Sequence, residues 1–583
     1  MRTRRPKAPK PVVWLIIFAV VAAVGGTVFF WTSKAEEDAD SRSHTQLGPN
    51  THATVSPNAT PAATDSPQLN PSATVTPSHT SDPNGTVSTP PPTSATPGNT
   101  PNVAPTPSTD RADVVIVGTE MEGMYLARAA ADEGLKVVVL DPREAVGGQL
   151  LEAEMLFLDE TKDDQGKSLV QGRIKQLFDG FKSAKIRKKS EYVRYFDTLV
   201  HGIPVESGVT LTKVNAGIGK LTSQAVQSVS YQTKDKTTKT IEAQYWVENT
   251  DNGTLAGKLN VTRMPGLEAF YGQHNIEFMS AGIMMKFKGV DWARFSSSFN
   301  ALTAEERSKK YGGGYVNDSF AIGLVGMTNA YKATNPRLFL RGLNAVNQRD
   351  GEVLINALLV YTIDPADPKS VAEGLELGKK ELPLIRDHFR KSIVGWEHAE
   401  LNGFPDYLYI REYNHYETDY VLKPSDMLGA SMFWDNVSIA GYPLDLQGTS
   451  ANKWGIEMGR PDKYGMPLRS FLLRNYDNVI LAGKNVGSSA IAYGSARIQP
   501  NTGLAAESIG VILGQIQGKK KLRELKEDDM KPLHAYLESK YQIRLTGIKG
   551  NNKIAGWTPD EIHKLDTGEI VYPQYIKVRK PPK

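Results

Sequence analysis

An α/β fold is the class predicted for this 583-residue chain, and three features predict it. A short β-branched run, Asp113-Val114-Val115-Ile116-Val117, leads into Gly118 and then an alanine-rich stretch through Ala131. A second run, Lys136 to Leu140, ends at an acid, Asp141. Far down the chain, Val479-Ile480-Leu481 repeats the pattern ahead of Gly483. Apolar runs of this length read as strands buried on both faces, and their alternation with helical stretches reads as a parallel sheet.

The composition is 40% hydrophobic and 23% charged with a formal net charge of +4, as in ordinary globular proteins. It excludes collagen, a wholly disordered chain and a polytopic membrane protein. So small a charge over this length is no footprint for nucleic acid, and none is expected as a partner. The chain has no cysteine, which excludes disulfides, thiolate metal sites, cysteine-ligated iron–sulfur clusters and thiol nucleophiles. No group of histidines and carboxylates has metal-ligand spacing, so no metal is expected.

From the amino end, residues 1–10 carry Arg2, Arg4, Arg5, Lys7 and Lys10 and no acid. Residues 11–31 then run without a charge, with Trp14 and Trp31 near the ends. That is the roughly 20 residues a helix needs to cross a bilayer, with aromatics at both interfaces. Glu36, Glu37, Asp38 and Asp40 follow. The charge asymmetry predicts a cytoplasmic tail (1–10), a single transmembrane anchor (11–31) and everything beyond on the outer side of the cell membrane. A cleaved signal peptide fits less well, because the apolar run continues past Ala22-Ala23-Val24-Gly25-Gly26. Residues 32–110 read as a disordered linker. From Ser41 to Asp110 there are 14 prolines and four charged residues but no aromatic, too little apolar surface to offset the entropy of ordering.

The folded region, from Arg111, is expected to divide into a nucleotide-binding domain (111–260 and 411–518), an inserted α+β lobe (261–410) and a carboxy-terminal appendage (519–583). In the first part, Gly118-Thr119-Glu120-Met121-Glu122-Gly123 stands between strand and helix, Asp141 ends the next strand, and Gly147-Gly148 follow. Strand, glycine turn, helix, strand and acid form the βαβ unit that binds dinucleotides: glycines admit the pyrophosphate to backbone amides, the helix end supplies partial positive charge, and the acid accepts from ribose hydroxyls. One position departs. Glu120 stands where the second glycine of G-x-G-x-x-G is expected.

On these residues the chain resembles bacterial FAD-dependent oxidoreductases related to the glutathione-reductase and fumarate-reductase flavoproteins. The acid followed by Gly147-Gly148 is typical of FAD enzymes, and a branch of the group has a G-[ST]-E-x-E-G turn. The resemblance continues at Trp246 to Ala256, Phe278 to Gly282, Arg411 to His415, Asn478 to Asn485 and Gly494 to Gly503. It implies a Rossmann-like FAD-binding domain of the glutathione-reductase type, with FAD as cofactor. From the first half it places Gly118, Glu120, Gly123, Asp141, Arg143, Gly147, Gly148 and Gln149 at the cofactor. From the second half it adds Gly483, Arg497, Asn501 and Thr502. A helix from Leu504 to Leu513, with cap chemistry at Pro500-Asn501-Thr502, would aim its amino end at the flavin.

Between the flavin segments, Ile283–Phe287 and Val353–Tyr361 read as strands, and Ser370–Lys391 as helix broken near Pro383. The catalytic candidates are Arg411, whose fork suits planar oxygen pairs, His415, which titrates in the range for proton transfer, and Asp445. The relatives' Y-P-x-D-x-H segment is Tyr442-Pro443-Leu444-Asp445-Leu446-Gln447 here, with glutamine in place of histidine. Residues 519–531 read as a solvated helical face, and Thr558-Pro559-Asp560-Glu561 as a capping box opening a short last helix. The expected function is hydride transfer between a small or sugar-like substrate and flavin N5, with an unidentified electron acceptor. The alternatives are a catalytically decayed flavoprotein fold kept for binding at the cell surface, and a redox-neutral flavoenzyme.

Overall fold

The computed structural model describes residues 109–222 and 224–579. The expected tail and anchor, and the linker up to residue 108, lie outside them. Among the described residues no helix is long and apolar enough to cross a membrane.

The first sheet is built by β1 (Thr109–Val117), β2 (Val137–Asp141), β3 (Val205–Ser207), β4 (Thr210–Gly217), β5 (Ala225–Gln232) and β6 (Thr238–Glu248). Two helices follow their strands, α1 (Met121–Asp132) after β1 and the short α2 (Gly148–Leu151) after β2. The strand order is β3-β2-β1-β6-β5-β4. β1 starts inside the expected linker, because the eleven-residue β6 offers partners beyond the apolar run: Thr109 and Asp110 pair with Thr240 and Ile241. β1 runs parallel to both neighbours, with Val117 opposite Leu140 and Glu248. The three strands therefore end within a residue of one another, and Gly118, Asp141 and Asn249 lie together at one carboxyl edge, the place where open α/β sheets bind ligands.

A second sheet has its own core. It comprises β7 (Ala281–Lys288), β8 (Gly314–Val316), β9 (Phe320–Gly323), β10 (Leu338–Leu340), β11 (Leu343–Arg349), β12 (Glu352–Val360) and β13 (Glu400–Leu401). Every pairing in it is antiparallel. β12 is buried from Val353 to Val360, which explains its unbroken apolar run. The long helix α3 (Pro368–Ser392) covers the sheet, burying Leu382, Ile385 and Phe389 in its core. Phe389 meets Phe287 at 5.8 Å and Trp396 at 5.6 Å between ring centroids. The break expected at Pro383 does not occur; α3 passes through it for 25 residues. Proline removes one backbone donor, but its neighbours Leu382 and Ile385 are fully buried, and that anchorage holds the helix on both sides.

The chain then returns to the first sheet. β14 (Val479–Leu481) runs parallel to the last turn of β6, pairing Val479 with Trp246 and Leu481 with Glu248. β6 is thus flanked on one side by β1 and on the other by β5 and β14, each taking one half. Helix α4 (Gln499–Ile516) packs on α1 and is buried from Pro500 through Gly514. It begins earlier than the expected Leu504. Its cap is Ile498, which has no side-chain oxygen, so Asn501 and Thr502 sit inside the first turn instead of capping it.

The carboxy-terminal residues form α5 (Glu527–Tyr541), α6 (Pro559–Thr567) and α7 (Tyr572–Val578). The capping box at α6 is formed, with Glu561 accepting from Thr558 N at 2.7 Å and Thr558 Oγ1 accepting from Glu561 N at 3.3 Å. α6 is not the last helix; Gly568 turns the chain into α7, whose Tyr572 ring stacks on Trp557 at 5.9 Å.

Candidate active site at the carboxyl edge of the first sheet

The turn after β1 is held by Asn249. Its Oδ1 accepts from Gly123 N at 3.0 Å, and its Nδ2 donates to the carbonyls of Gly118 at 3.2 Å and Glu120 at 2.8 Å. Gly118 has φ +98°, and a Cβ there would lie 2.5 Å from the Asn249 carbonyl oxygen; no other residue fits. These are the roles of the first and third glycines of a dinucleotide turn, tight turning and close helix–strand packing. Asn249 was not among the expected site residues, because nothing in the motif marks the end of β6 as its clamp. The adjacent Glu248 is fully buried and accepts from Thr250 N at 2.8 Å, Thr250 Oγ1 at 2.7 Å, Leu255 N at 2.7 Å and Ala256 N at 2.8 Å. It fixes the loop that leaves β6.

Glu120 is 2% exposed. It is the cap residue of α1, yet its side chain bonds none of that helix's amides. It reaches instead to the next turn, where its oxygens accept from Gln149 N at 3.0 and 3.2 Å and from Arg143 Nη2 at 3.2 Å. A Cβ on Gly148 would lie 2.3 Å from the Glu120 carboxyl carbon. Burial opposes its charge, but Lys484 and Arg143 hold its pKa below the usual carboxylate range.

Arg143 faces four acids, Glu120 at 3.2 Å, Asp251 at 3.3 Å, Glu152 at 3.6 Å and Asp141 at 3.7 Å. Burial, with Asp141, Glu120 and Asp251 nearby, pushes Glu152 up to about 8 despite Arg143. Asp141 is turned inward. One oxygen accepts from Arg143 N at 2.9 Å and the other from Thr119 Oγ1, whose hydroxyl also accepts from Gly147 N at 2.8 Å. The expected ribose acceptor thus braces the turn to Gly147-Gly148, since a fully buried carboxylate takes the nearest internal donors.

On the other side of the turn, Glu122 lies under Gly483 with one carboxyl oxygen unpartnered and the other accepting from Thr502 Oγ1 at 3.2 Å. Burial, reinforced by Glu120, raises its pKa to about 7. Asn501 is also engaged internally, donating to the Ser495 carbonyl at 2.9 Å and accepting from Gly441 N at 3.4 Å. Lys484 donates to the Ile410 carbonyl at 2.8 Å and to Gln149 Oε1 at 3.2 Å. Lys484 and Gln149 border a cavity of about 20 Å³ whose wall continues through Asp159, Tyr409, Arg497 and Gln499.

Around that wall stand the catalytic candidates. Arg411 is buried with neutral partners, donating to the Ser280 carbonyl at 2.7 Å and Asn356 Oδ1 at 3.1 Å, with its guanidinium 4.5 Å from the Tyr409 ring centre. Burial, with Arg341 and Arg497 close by, lowers its pKa to about 9. Asp445 is not its ion partner; it accepts from Gln447 Nε2 and lies 3.9 Å from Arg497. Gln447 links on to Arg341, completing a chain between the two lobes. His415 stands apart, bonded to Glu412 at 2.7 Å and set edge-on to Tyr493 at 4.5 Å. Two residues enter that the sequence did not single out. Arg341 comes from the second sheet with no motif around it. Asp159 is raised to about 6 by burial, with Asp445 adding to the effect. A larger cavity of about 420 Å³ is lined by Asn275, Phe278, Asp364, Tyr413 and Asn414, among others.

The sequence profile of the family described as FAD dependent oxidoreductase matches residues 113–536, most of the chain. The chain belongs to this family. FAD is the cofactor that membership assigns to the oxidoreductase. Among curated protein sequences none matches it. Solved structures to which the chain shows similarity include a geranylgeranyl bacteriochlorophyll reductase-like protein from Thermoplasma acidophilum, with 11% identity over 81% of this chain and 99% of that one and a TM-score of 0.32. Another is p-nitrophenol 4-monooxygenase from Pseudomonas putida, with 11% identity over 81% and 96% and a TM-score of 0.30. A flavoprotein/dehydrogenase from Cytophaga hutchinsonii has 11% identity over 74% and 84% and a TM-score of 0.32. The assignment to the family rests on the sequence match.

The oxidoreductase's glycine turn fits the diphosphate of FAD with one exception, while Asp141, turned inward, does not present its carboxylate to the ribose. Gly123's amide is taken by Asn249 and Glu122's faces its own carboxylate, leaving that of Met121 as the donor at the end of α1, with the cations Arg143 and Lys484 acting on the same turn. The exception is Glu120, whose carboxylate fills the space between the first glycine turn and Gly148.

Proposed function

We propose that the oxidoreductase is anchored in the cell membrane by residues 11–31, faces outward, and oxidises a C–H bond of a small, polar, sugar-like substrate. FAD, when bound, supplies a two-electron acceptor for hydride. The observation that carries this reading is the meeting of Lys484 and Gln149 from the nucleotide edge with Asp159, Tyr409 and Arg497 around one cavity. There the chain's own groups meet the reacting end of the substrate: Arg497 offers a donor to its oxygen, Arg411 braces Tyr409 from behind the wall, and Asp159 Oδ, poised near neutrality, takes a hydroxyl proton. The larger cavity supports a polyhydroxylated substrate, since side-chain amides and a carboxylate beside Phe278 and Tyr413 suit hydroxyls and C–H faces together.

The full chain, purified, is expected to carry flavin's visible bands, and anaerobic addition of the right member of a panel of alcohols, sugars and amines to bleach them. A second reading, a flavoprotein fold kept for binding, draws on Glu120. Stoichiometric flavin that no panel member reduces would favour it, and a chain that takes up no flavin would sink the first reading.

A further inference from the structure

We propose that Glu120 is an internal surrogate for a phosphate of the cofactor, and that FAD binds by displacing its carboxylate. This rests on the reading of FAD as the chain's cofactor.

Four observations carry it. First, the carboxylate makes the bonds a phosphate would make: both oxygens accept from the backbone amide of Gln149, and one accepts from Arg143. Second, an ordinary helix cap would turn back to the amides of its own helix, and Glu120 does not, although it is the cap of α1. Third, the approach to the backbone that a missing side chain at Gly148 leaves free is taken by this carboxylate, at 2.3 Å from the position of a Cβ. Fourth, charge forbids simply adding the cofactor. Glu120, Asp141 and Asp251 surround Arg143, beside Glu152, which burial pushes up to about 8, and Lys484 is the other cation acting on Glu120. A diphosphate carries two further negative charges, and like charges brought together in a buried site repel strongly. Moving Glu120 out removes one negative charge and frees the Gln149 amide and Arg143 Nη2 in the same motion.

The replaced position is the one whose glycine, in the usual turn, lets backbone reach the pyrophosphate. Substituting that glycine by glutamate therefore closes the slot without distorting the turn, because Gly118 and Gly123 keep their own roles against Asn249.

The test is calorimetric titration of the full chain, stripped of flavin, with FAD, for wild type, Glu120→Gly and Glu120→Gln. Circular dichroism and melting temperature report the fold. Glu120→Gln keeps the size and cap position of the side chain and guards against a glycine variant that fails to fold. The expected result is a Kd for FAD at least ten-fold lower in Glu120→Gly than in wild type, with Glu120→Gln between them. Inorganic pyrophosphate is expected to raise the melting temperature of Glu120→Gly more than that of wild type. Equal affinity in all three proteins, or weaker binding in folded variants, overturns the surrogate role while leaving the cofactor assignment intact. Folded variants that, like wild type, bind no FAD overturn both.

Discussion

Glu248→Ala is expected to cost the fold about 4 kcal/mol, the largest effect of any single polar substitution at the carboxyl edge. The side chain is fully buried and faces no cation among the described residues; its four donors are three backbone amides and one hydroxyl, all of the loop from Thr250 to Ala256. Truncation leaves those donors dry and unpaired, and each buried unpaired group costs about 1–3 kcal/mol. Glutamine is no rescue, because two donors converge on each oxygen and an amide NH₂ would oppose one pair. It is expected to cost about 2 kcal/mol. The urea midpoint at constant m-value checks the stability, and hydrogen exchange at the Thr250, Leu255 and Ala256 amides should accelerate first. A Glu248→Gln protein within 0.5 kcal/mol of wild type, a margin below a single net hydrogen bond, would contradict this account.

The second large effect concerns Glu122 and depends on pH. Burial raises its carboxyl to about 7 in the native chain against an ordinary value of 4.5. A carboxyl whose folded pKa is raised binds its proton more tightly in the native state, so its contribution to stability is complete below pH 4.5 and is lost as pH rises through 7. Above that the native chain holds a buried charge with one unpartnered oxygen. Glu122→Gln keeps the acceptor for Thr502 and removes the charge. The variant should match wild type at pH 5 and be more stable by about 2–3 kcal/mol at pH 8.5, a difference set by the size of the shift. Paired denaturation curves at the two pH values read it directly. Parallel pH profiles for the two proteins would show that Glu122 does not titrate in this window.

Much of the first sheet was legible because its signals are local. β1, β2 and β14 are continuous apolar runs, and such runs identify strands buried on both faces. The boundaries were less so: β1 reaches back to Thr109 only because β6 is there to pair with it, which no property of Thr109 announces. Pro383 shows the same limit from the other side. Its effect on a helix is a local rule, and the burial of Leu382 and Ile385 that overrides it belongs to the second sheet. At the site, the turn glycines were readable from spacing, but the resemblance over Trp246 to Ala256 gave no role to Asn249, which clamps a turn from across the sheet, or to Glu248, which anchors the loop after it. Asp141 and Asn501, expected to face the cofactor, have side chains bonded to internal partners. Type and position are set by sequence, whereas the choice between facing a ligand and facing Thr119 or Ser495 is made by what packs around them. Arg341 was invisible for a simpler reason: it reaches Gln447 from another lobe, and only the folded chain brings the two together.

The half-and-half flank of β6 bears on how the protein is made. Its outer edge near Trp246 to Glu248 is completed by β14, and α1 is covered by α4, both from the distal part of the polypeptide. A nascent chain that has emerged only as far as the second sheet therefore exposes an open strand edge and a bare apolar helix, a combination that invites aggregation. If the anchor directs the domain outward as proposed, the nucleotide edge closes only after the distal segment has crossed the bilayer. For a chain threaded unfolded, coenzyme loading then follows translocation, and the half-finished sheet is exposed to other strands until the distal segment arrives.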